Sequence, residues 1–326
     1  MSSMNIAFPD PVLPPDEQGV RNLEFKALGT ECSVKFRLDD ERAALNFAAE
    51  ALGWLGAFEA KFSRYRPNSM LSGINRRAGG GWVEIDDEME HMLGLGDSLH
   101  RRTEGIIDPT LLPLQLVWDW RKVRKKLPEK SEVDEALALT GWEKVERRAG
   151  AVRLPEQGMG LDFGGFGKEY AVDYLARMAG EHGVNDLLID LGRDIFAKGG
   201  NGAHPFWHVG IEDGNHPGKC WGGLAVKDRA VSASGDYARF FTHNGIRYGH
   251  ILDPRTGWPV NNGMRAVTAI AESCLEAGAY STAVFVLGVE EGLHLANLAR
   301  GVEVCVQTEN GIDGTRKFGQ WLVKAA

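Results

Sequence analysis

Gly160-Leu161-Asp162-Phe163-Gly164-Gly165-Phe166-Gly167-Lys168-Glu169-Tyr170, then an apolar-periodic run, then Asp186-Leu187-Leu188-Ile189-Asp190-Leu191-Gly192-Arg193-Asp194, is the stretch around which the chain is organised. Its first residues read as a short strand ending at Asp162. A glycine-rich turn follows, and a helix begins near Lys168 with Val172, Leu175, Ala176 and Ala179 at helical spacing. Gly183 supplies a stop, and Leu187 to Leu191 read as a buried strand. Strand, glycine turn and helix start form a geometry suited to a phosphate. Glycines let the backbone approach an anion, and the helix start offers unpaired N–H groups and a positive dipole end. Lys168 adds a full charge. The spacing matches neither the G-x-G-x-x-G nor the G-x-x-x-x-G-K-[ST] pattern. A tight strand-to-helix connection with a surface lysine is the other reading of these residues.

Outward from there, the chain is mixed α and β with hairpins, not a regular βαβα alternation. Leu23 to Leu38 alternates like a strand bent at Leu28-Gly29. Asp39 or Asp40 caps a helix whose stripe is Ala44, Ala48, Leu52, Leu55, Phe58 and Phe62. Phe62-Ser63-Arg64-Tyr65-Arg66-Pro67-Asn68-Ser69 breaks that helix and offers arginines and an aromatic ring to a ligand. Asn68 or Ser69 caps a short helix. Asp86 to Arg102 reads as a helix, and Ser131 with Asp134 as the cap of another to Leu139. Trp142 to Arg147 and Ala151 to Leu154 are expected to pair as a hairpin. Trp207 to Ile211 and Gly223 to Val226 are strand-like. Val231 to Tyr237 reads as a small-residue loop. A hairpin turns at Asn244-Gly245, its second strand running to Leu252 and delivering His250. Val267 to Ala271 is a strand, Cys274 to Leu287 and Glu291 to Leu298 are helices, and Val302 to Gln307 and Trp321 to Lys324 are closing strands.

A chain of 326 residues with net charge −8 buries a large core and excludes a general nucleic-acid role. The basic run Arg121 to Lys126 is expected to be a solvated helix end. Four scattered cysteines, Cys32, Cys220, Cys274 and Cys305, suggest neither a zinc site nor a disulfide framework. Residues 1–20 are expected to be a disordered tail and 21–326 one domain. The absence of a signal-like start and of a long apolar run leads to an expectation of a cytoplasmic protein with no membrane insertion.

The order of the motifs resembles the ApbE family of FAD:protein FMN transferases. Carrying the resemblance are Leu28-Gly29-Thr30, the Phe62–Ser69 loop, Ile107-Asp108-Pro109-Thr110, Leu161–Gly165, Ser234-Gly235-Asp236-Tyr237, His250-Ile251-Leu252-Asp253-Pro254-Arg255-Thr256-Gly257 and Tyr280-Ser281-Thr282-Ala283. It implies a T-fold-like α+β architecture of mostly antiparallel sheets with flanking helices and a flavin-nucleotide cleft between them. It implies Mg²⁺-dependent transfer of FMN from FAD to a Thr or Ser hydroxyl of an acceptor protein, with release of AMP; some members hydrolyse FAD instead, and some are exported. By position, Leu28, Tyr65, Asp108, Thr110, Asp162, Lys168 and Ile251 would contact FAD. Gly165 and Thr282 would help hold Mg²⁺, and His250 would be the base. A satisfied strand histidine is the other reading of His250. The chain departs from the family pattern where a metal-binding aspartate is expected: that position is Gly278, and the acidic position of some members is Ser281. Glu169 stands where the family pattern has glycine, and Arg193 where it has a second glycine. A binding protein without transfer activity, or an FAD pyrophosphatase, are the alternatives these departures leave.

Overall fold

The computed structural model describes residues 14–119, 126–237 and 239–323. A hairpin of β1 (Val20–Ala27) and β2 (Thr30–Arg37) leads into the long helix α1 (Glu41–Phe62) and the short α2 (Met70–Arg76). Strand β3 (Val83–Glu84) precedes α3 (Asp87–Arg102), α4 (Leu112–Val117) and α5 (Lys130–Ala138). Strands β4 (Glu146–Arg148) and β5 (Ala151–Arg153) lead to α6 (Gly167–Glu181). Then come β6 (Asp186–Leu191), β7 (Ile195–Lys198), β8 (Trp207–Glu212), β9 (Cys220–Val226) and β10 (Arg229–Gly235). The hairpin β11 (Phe240–His243) and β12 (Ile246–Gly249) is followed by β13 (Met264–Ala271), α7 (Cys274–Leu287), α8 (Val289–Leu298), β14 (Glu303–Thr308) and β15 (Gly311–Gly314).

Eight strands form one sheet in the order β1-β2-β6-β7-β10-β13-β14-β15, every neighbouring pair antiparallel. Successive strand residues point to opposite faces, and here each face meets its own apolar layer. Ala230, Ala269, Val304 and Val306 pack into the main core with α1, α3, α6 and α7. Their neighbours Val231, Ile270 and Cys305 pack on the other face against Trp207, Val209, Leu224 and Val226 of the β8–β9 ribbon. A third, smaller core gathers Leu114, Trp118, Val133, Ala136 and Leu252. The architecture is therefore α+β, as expected.

Local chemistry explains most element ends. Asp40, Ser69 and Asp86 accept backbone N–H bonds at the starts of α1, α2 and α3. The cap of α5 is Glu129, with Glu132 reaching back to its N–H at 2.7 Å, instead of Ser131 with Asp134. Gly160 to Asp162 is not a strand: Asn75 takes both the N–H and the carbonyl of Leu161, at 2.7 and 2.8 Å, and Pro109 takes the Asp162 N–H at 2.8 Å. These backbone groups are satisfied without a neighbouring strand. Val231 to Gly235 is strand β10, not a loop, and lies between β7 and β13. Its small residues are what let α7, itself rich in small residues, lie close against it. Trp142–Lys144 is a short 3₁₀ turn, so only Glu146–Arg148 pairs with β5. The second hairpin strand stops at Gly249, and the chain end is a 3₁₀ turn at Phe318–Trp321 with a single bridge from Leu322 to Leu224. Strand β7 is only four residues long and β15, Gly-Ile-Asp-Gly, carries a single apolar residue, so neither stands out in the sequence. The basic run at 121–125, most of the N-terminal tail and Lys324 lie outside the described residues; Asp16 closes a turn just ahead of β1.

Asp173 joins the two helices that frame the site. Its carboxylate leaves α6 and accepts the N–H groups of Cys274 (2.7 Å) and Leu275 (2.9 Å) at the start of α7. Burial pushes this carboxyl up to about 6, against those two N–H bonds. Asp173→Ala leaves two donors without their acceptor and is expected to cost about 1–3 kcal/mol, measured by urea unfolding at pH 7.

Candidate active site

The turn between β1 and β2 has both central residues, Leu28 and Gly29, at positive φ (53° and 74°). That matches the hairpin turn favoured by strand twist, yet leucine pays a steric cost there. The Leu28 N–H donates to Glu59 Oε2 at 3.2 Å, and Glu59 Oε1 pairs with Arg66 at 3.2 Å. The loop after α1 is thereby fastened to the turn. Arg64 on the same loop pairs with Asp162 at 2.9 Å, both nearly buried, and Asp162 also accepts the Gly164 N–H at 2.9 Å. So Asp162 holds the glycine-rich turn in shape. Between Arg64 and Arg66, Tyr65 stands 62% exposed, with the Arg64 guanidinium 4.3 Å over its ring. A flat, exposed ring beside a guanidinium suits a planar heterocycle.

Asp108 and Thr110 form a tight unit. Asp108 Oδ1 accepts from the Thr110 N–H (2.7 Å) and hydroxyl (2.6 Å), and the Thr110 hydroxyl accepts from Gly141 N–H (2.7 Å). Thr110 is fully buried, so its hydroxyl is spent on scaffolding. Burial holds the Asp108 carboxyl above its ordinary value.

Helix α6 begins directly after the glycine-rich turn, where Gly165 is exposed. Lys168 does not stand free. It pairs with Asp194, which is 3% exposed and also accepts from the Ser232 hydroxyl. Burial works against the Lys168 charge; Asp194 and Glu169 outweigh it and keep the ammonium above the ordinary lysine value. Asp194 is the partner of Lys168 that the sequence reading missed, although it closed the quoted stretch. The turn before it, Gly192-Arg193, again has both residues at positive φ, and Arg193 pairs with Glu212 at 2.7 Å.

On α7, the Ser281 hydroxyl donates to the Gly278 carbonyl (3.0 Å). Ser234 of β10 lies 2.9 Å from both the Ser281 and Thr282 hydroxyls. Glu169 projects from the first turn of α6 onto the same helix. A Cβ at Gly278 would sit 2.5 Å from Glu169 Cγ. Burial, with the charge of Asp194 adding to it, pushes the Glu169 carboxyl up to about 7. Its Oε2 is buried and has no hydrogen-bond partner among the described residues.

His250 lies just beyond β12, its Nδ1 buried without a hydrogen-bond partner among the described residues. Burial, with Arg239 and then Lys168 adding to it, pushes the imidazole down to about 4. The following loop is cross-braced by hydrogen bonds. Val260 N–H bonds to the Ile251 carbonyl at 3.0 Å, Asp253 N–H to Trp258 at 2.9 Å, and Trp118 Nε1 to Gly257 at 2.8 Å. Ile251 itself rests on the main core.

Residues 28–306 match the ApbE family. The chain belongs to that family. The FAD:protein FMN transferase of Treponema pallidum is 31% identical over 296 residues, covering 85% of this chain and 81% of that protein. The crystal structure of the ApbE protein from Thermotoga maritima aligns with a TM-score of 0.84 at 28% identity, over 94% of this chain and 100% of that one. The apo flavinyl transferase ApbE of Pseudomonas stutzeri aligns with a TM-score of 0.82 at 28% identity, over 94% and 98%. The oxygen donors around Gly278 would suit a divalent cation. The donors around Gly278 are hydroxyl, carbonyl and carboxylate oxygens, the set a hard cation takes. Among the described residues no three His, Cys, Asp or Glu side chains gather as a ready cage. Mg²⁺ does not require one, because it is bound by one or two carboxylates together with substrate phosphates. Among the described residues no helix is long and apolar enough to cross a membrane.

Proposed function

We propose that this chain binds FAD and transfers its FMN half to a Thr or Ser hydroxyl of an acceptor protein, releasing AMP. The curated relatives carry the name FAD:protein FMN transferase. The observation that carries the reading is His250: an imidazole held uncharged at neutral pH, its Nδ1 free of partners among the described residues, within the influence of Lys168. An uncharged imidazole accepts a proton, and a nearby diphosphate would raise its basicity by favouring the charged form.

In this reading Tyr65 offers its ring to the flavin, and Leu28, Asp108 and Ile251 border the nucleotide. The turn held by Asp162 presents backbone to the diphosphate. The acceptor hydroxyl gives its proton to His250 as its oxygen bonds to the FMN phosphorus. The bond from that phosphorus to the bridging oxygen breaks, and AMP leaves with the electron pair. Thr282 and the Gly165 backbone would help hold Mg²⁺, which neutralises charge on the diphosphate as it is cleaved.

One observation favours a second reading. Gly278 brings no carboxylate to α7, so a protein that binds FAD without cleaving it is the alternative. Incubation with FAD and Mg²⁺, with and without a Thr-containing acceptor protein, separates the outcomes. Acceptor-dependent AMP release with flavin on the acceptor supports transfer. AMP and FMN without acceptor indicate a pyrophosphatase, and bound FAD with no AMP indicates a binding protein.

A further inference from the structure

Glu169 and Gly278 are one structural feature. The side chain of Glu169 fills the space that any residue larger than glycine at 278 would need: a Cβ there would meet Glu169 Cγ at 2.5 Å, Oε1 at 2.9 Å and Cδ at 3.0 Å. On a helix, positions 278, 281 and 282 share a face. The Glu169 carboxylate therefore lies over the same face as the Ser281 and Thr282 hydroxyls, where a carboxylate carried by residue 278 would otherwise lie.

The local polar inventory leaves this carboxylate incomplete. Glu169 is 6% exposed, and Oε2 has no partner among the described residues. The nearest cation, Lys168 Nζ, is 3.9 Å from Oε1 and is engaged by Asp194. Ser281 donates to the Gly278 carbonyl and also contacts Ser234. A buried carboxylate oxygen without a donor is costly unless a cation or a hydrogen bond completes it.

We propose that Glu169 is the carboxylate ligand of a hard divalent cation at this site, reaching it from the first turn of α6 through the gap that Gly278 leaves. The all-oxygen surroundings select Mg²⁺ or Mn²⁺ over softer ions. The inference rests on the metal-dependent reading above and adds a constraint to it: residues 169 and 278 must be exchanged together. Gly278→Asp in the parent crowds Glu169 and adds a second buried acid. Glu169→Gly alone removes the carboxylate altogether. Glu169→Gly with Gly278→Asp moves the acid from α6 to α7 and keeps one carboxylate in one space.

The test uses the full chain, Mn²⁺ as the probe and paramagnetic resonance as the readout, with flavin fluorescence reporting FAD binding without metal. In the presence of FAD the parent is expected to bind Mn²⁺. Glu169→Gln is expected to weaken Mn²⁺ by at least about tenfold while metal-free FAD affinity stays within about threefold. The Glu169→Gly/Gly278→Asp pair is expected to recover Mn²⁺ affinity to within about threefold of the parent. Parent-like Mn²⁺ affinity in Glu169→Gln overturns the proposal, as does failure of the exchanged pair, with FAD still bound, to hold Mn²⁺. If Glu169→Gln does not fold, the exchanged pair decides alone. Absence of Mn²⁺ binding by the FAD-loaded parent removes both this assignment and metal dependence. Glu169-dependent Mn²⁺ binding without AMP release under any acceptor leaves the assignment standing and removes the transferase reading.

Discussion

Replacing His250 by alanine is expected to slow FMN transfer by about 10²- to 10⁴-fold, with FAD affinity nearly unchanged. The loop that presents the imidazole keeps its own anchors, Trp118 to Gly257 and Val260 to Ile251, so the deletion removes a proton acceptor without dismantling the site. The pH dependence separates a base from a merely packed side chain. In the folded protein the imidazole is held down at about 4, against an ordinary 6.5. Between those values the unfolded chain carries a proton that the folded chain does not, so acidification favours unfolding. That part of the acid sensitivity is fully developed below pH 4 and absent above pH 6.5. His250→Ala should therefore lose less stability than the parent between pH 7 and pH 5, and should also lack the acid limb of the rate profile. Thermal melts at pH 7 and pH 5 read the first effect, and AMP release followed from pH 7 down through pH 4 reads the second. A variant with parental AMP release would place the base elsewhere.

Patterned segments were legible in the sequence because local physics alone decides them. The stripe from Ala44 to Phe62 forms α1, the glycine-rich turn starts α6, and Asn244-Gly245 turns the hairpin. Strand β10 was not legible, since Val231-Ser232-Ala233-Ser234-Gly235 is made mostly of small residues with little strand preference, and both serines are buried; what makes it a strand is its place between β7 and β13. The same holds at the site. Residue types singled out Asp162 and Lys168 as candidates, and only the resemblance to the ApbE family singled out His250 and Thr282. Nothing in local spacing says that Asn75 clasps Leu161 across the chain, or that Glu59 receives the Leu28 N–H. Nor could it say that Glu169 and Gly278, distant in sequence, compete for one space. Partners of buried polar groups are fixed by tertiary contact, and one sequence carries no record of them.

Lys168→Met is expected to cost the fold about 3–5 kcal/mol. Asp194 is 3% exposed, and with the ammonium gone only the Ser232 hydroxyl remains on its carboxylate among the described residues. Leaving one member of a buried ion pair is far more costly than removing both, because the survivor keeps its desolvation penalty without its counter-charge. Lys168→Met/Asp194→Asn should therefore recover most of the loss in urea unfolding. The pair of variants also separates the two duties that the position of Lys168 suggests. If the ammonium serves only Asp194, the double variant regains both stability and FAD affinity. If it also faces the diphosphate at the start of α6, stability returns while FAD binding stays weak and loses part of its salt dependence, since a charge that neutralised phosphate is missing. Measuring FAD affinity at two ionic strengths in the double variant distinguishes these, and an unchanged salt slope would assign Lys168 to the scaffold alone.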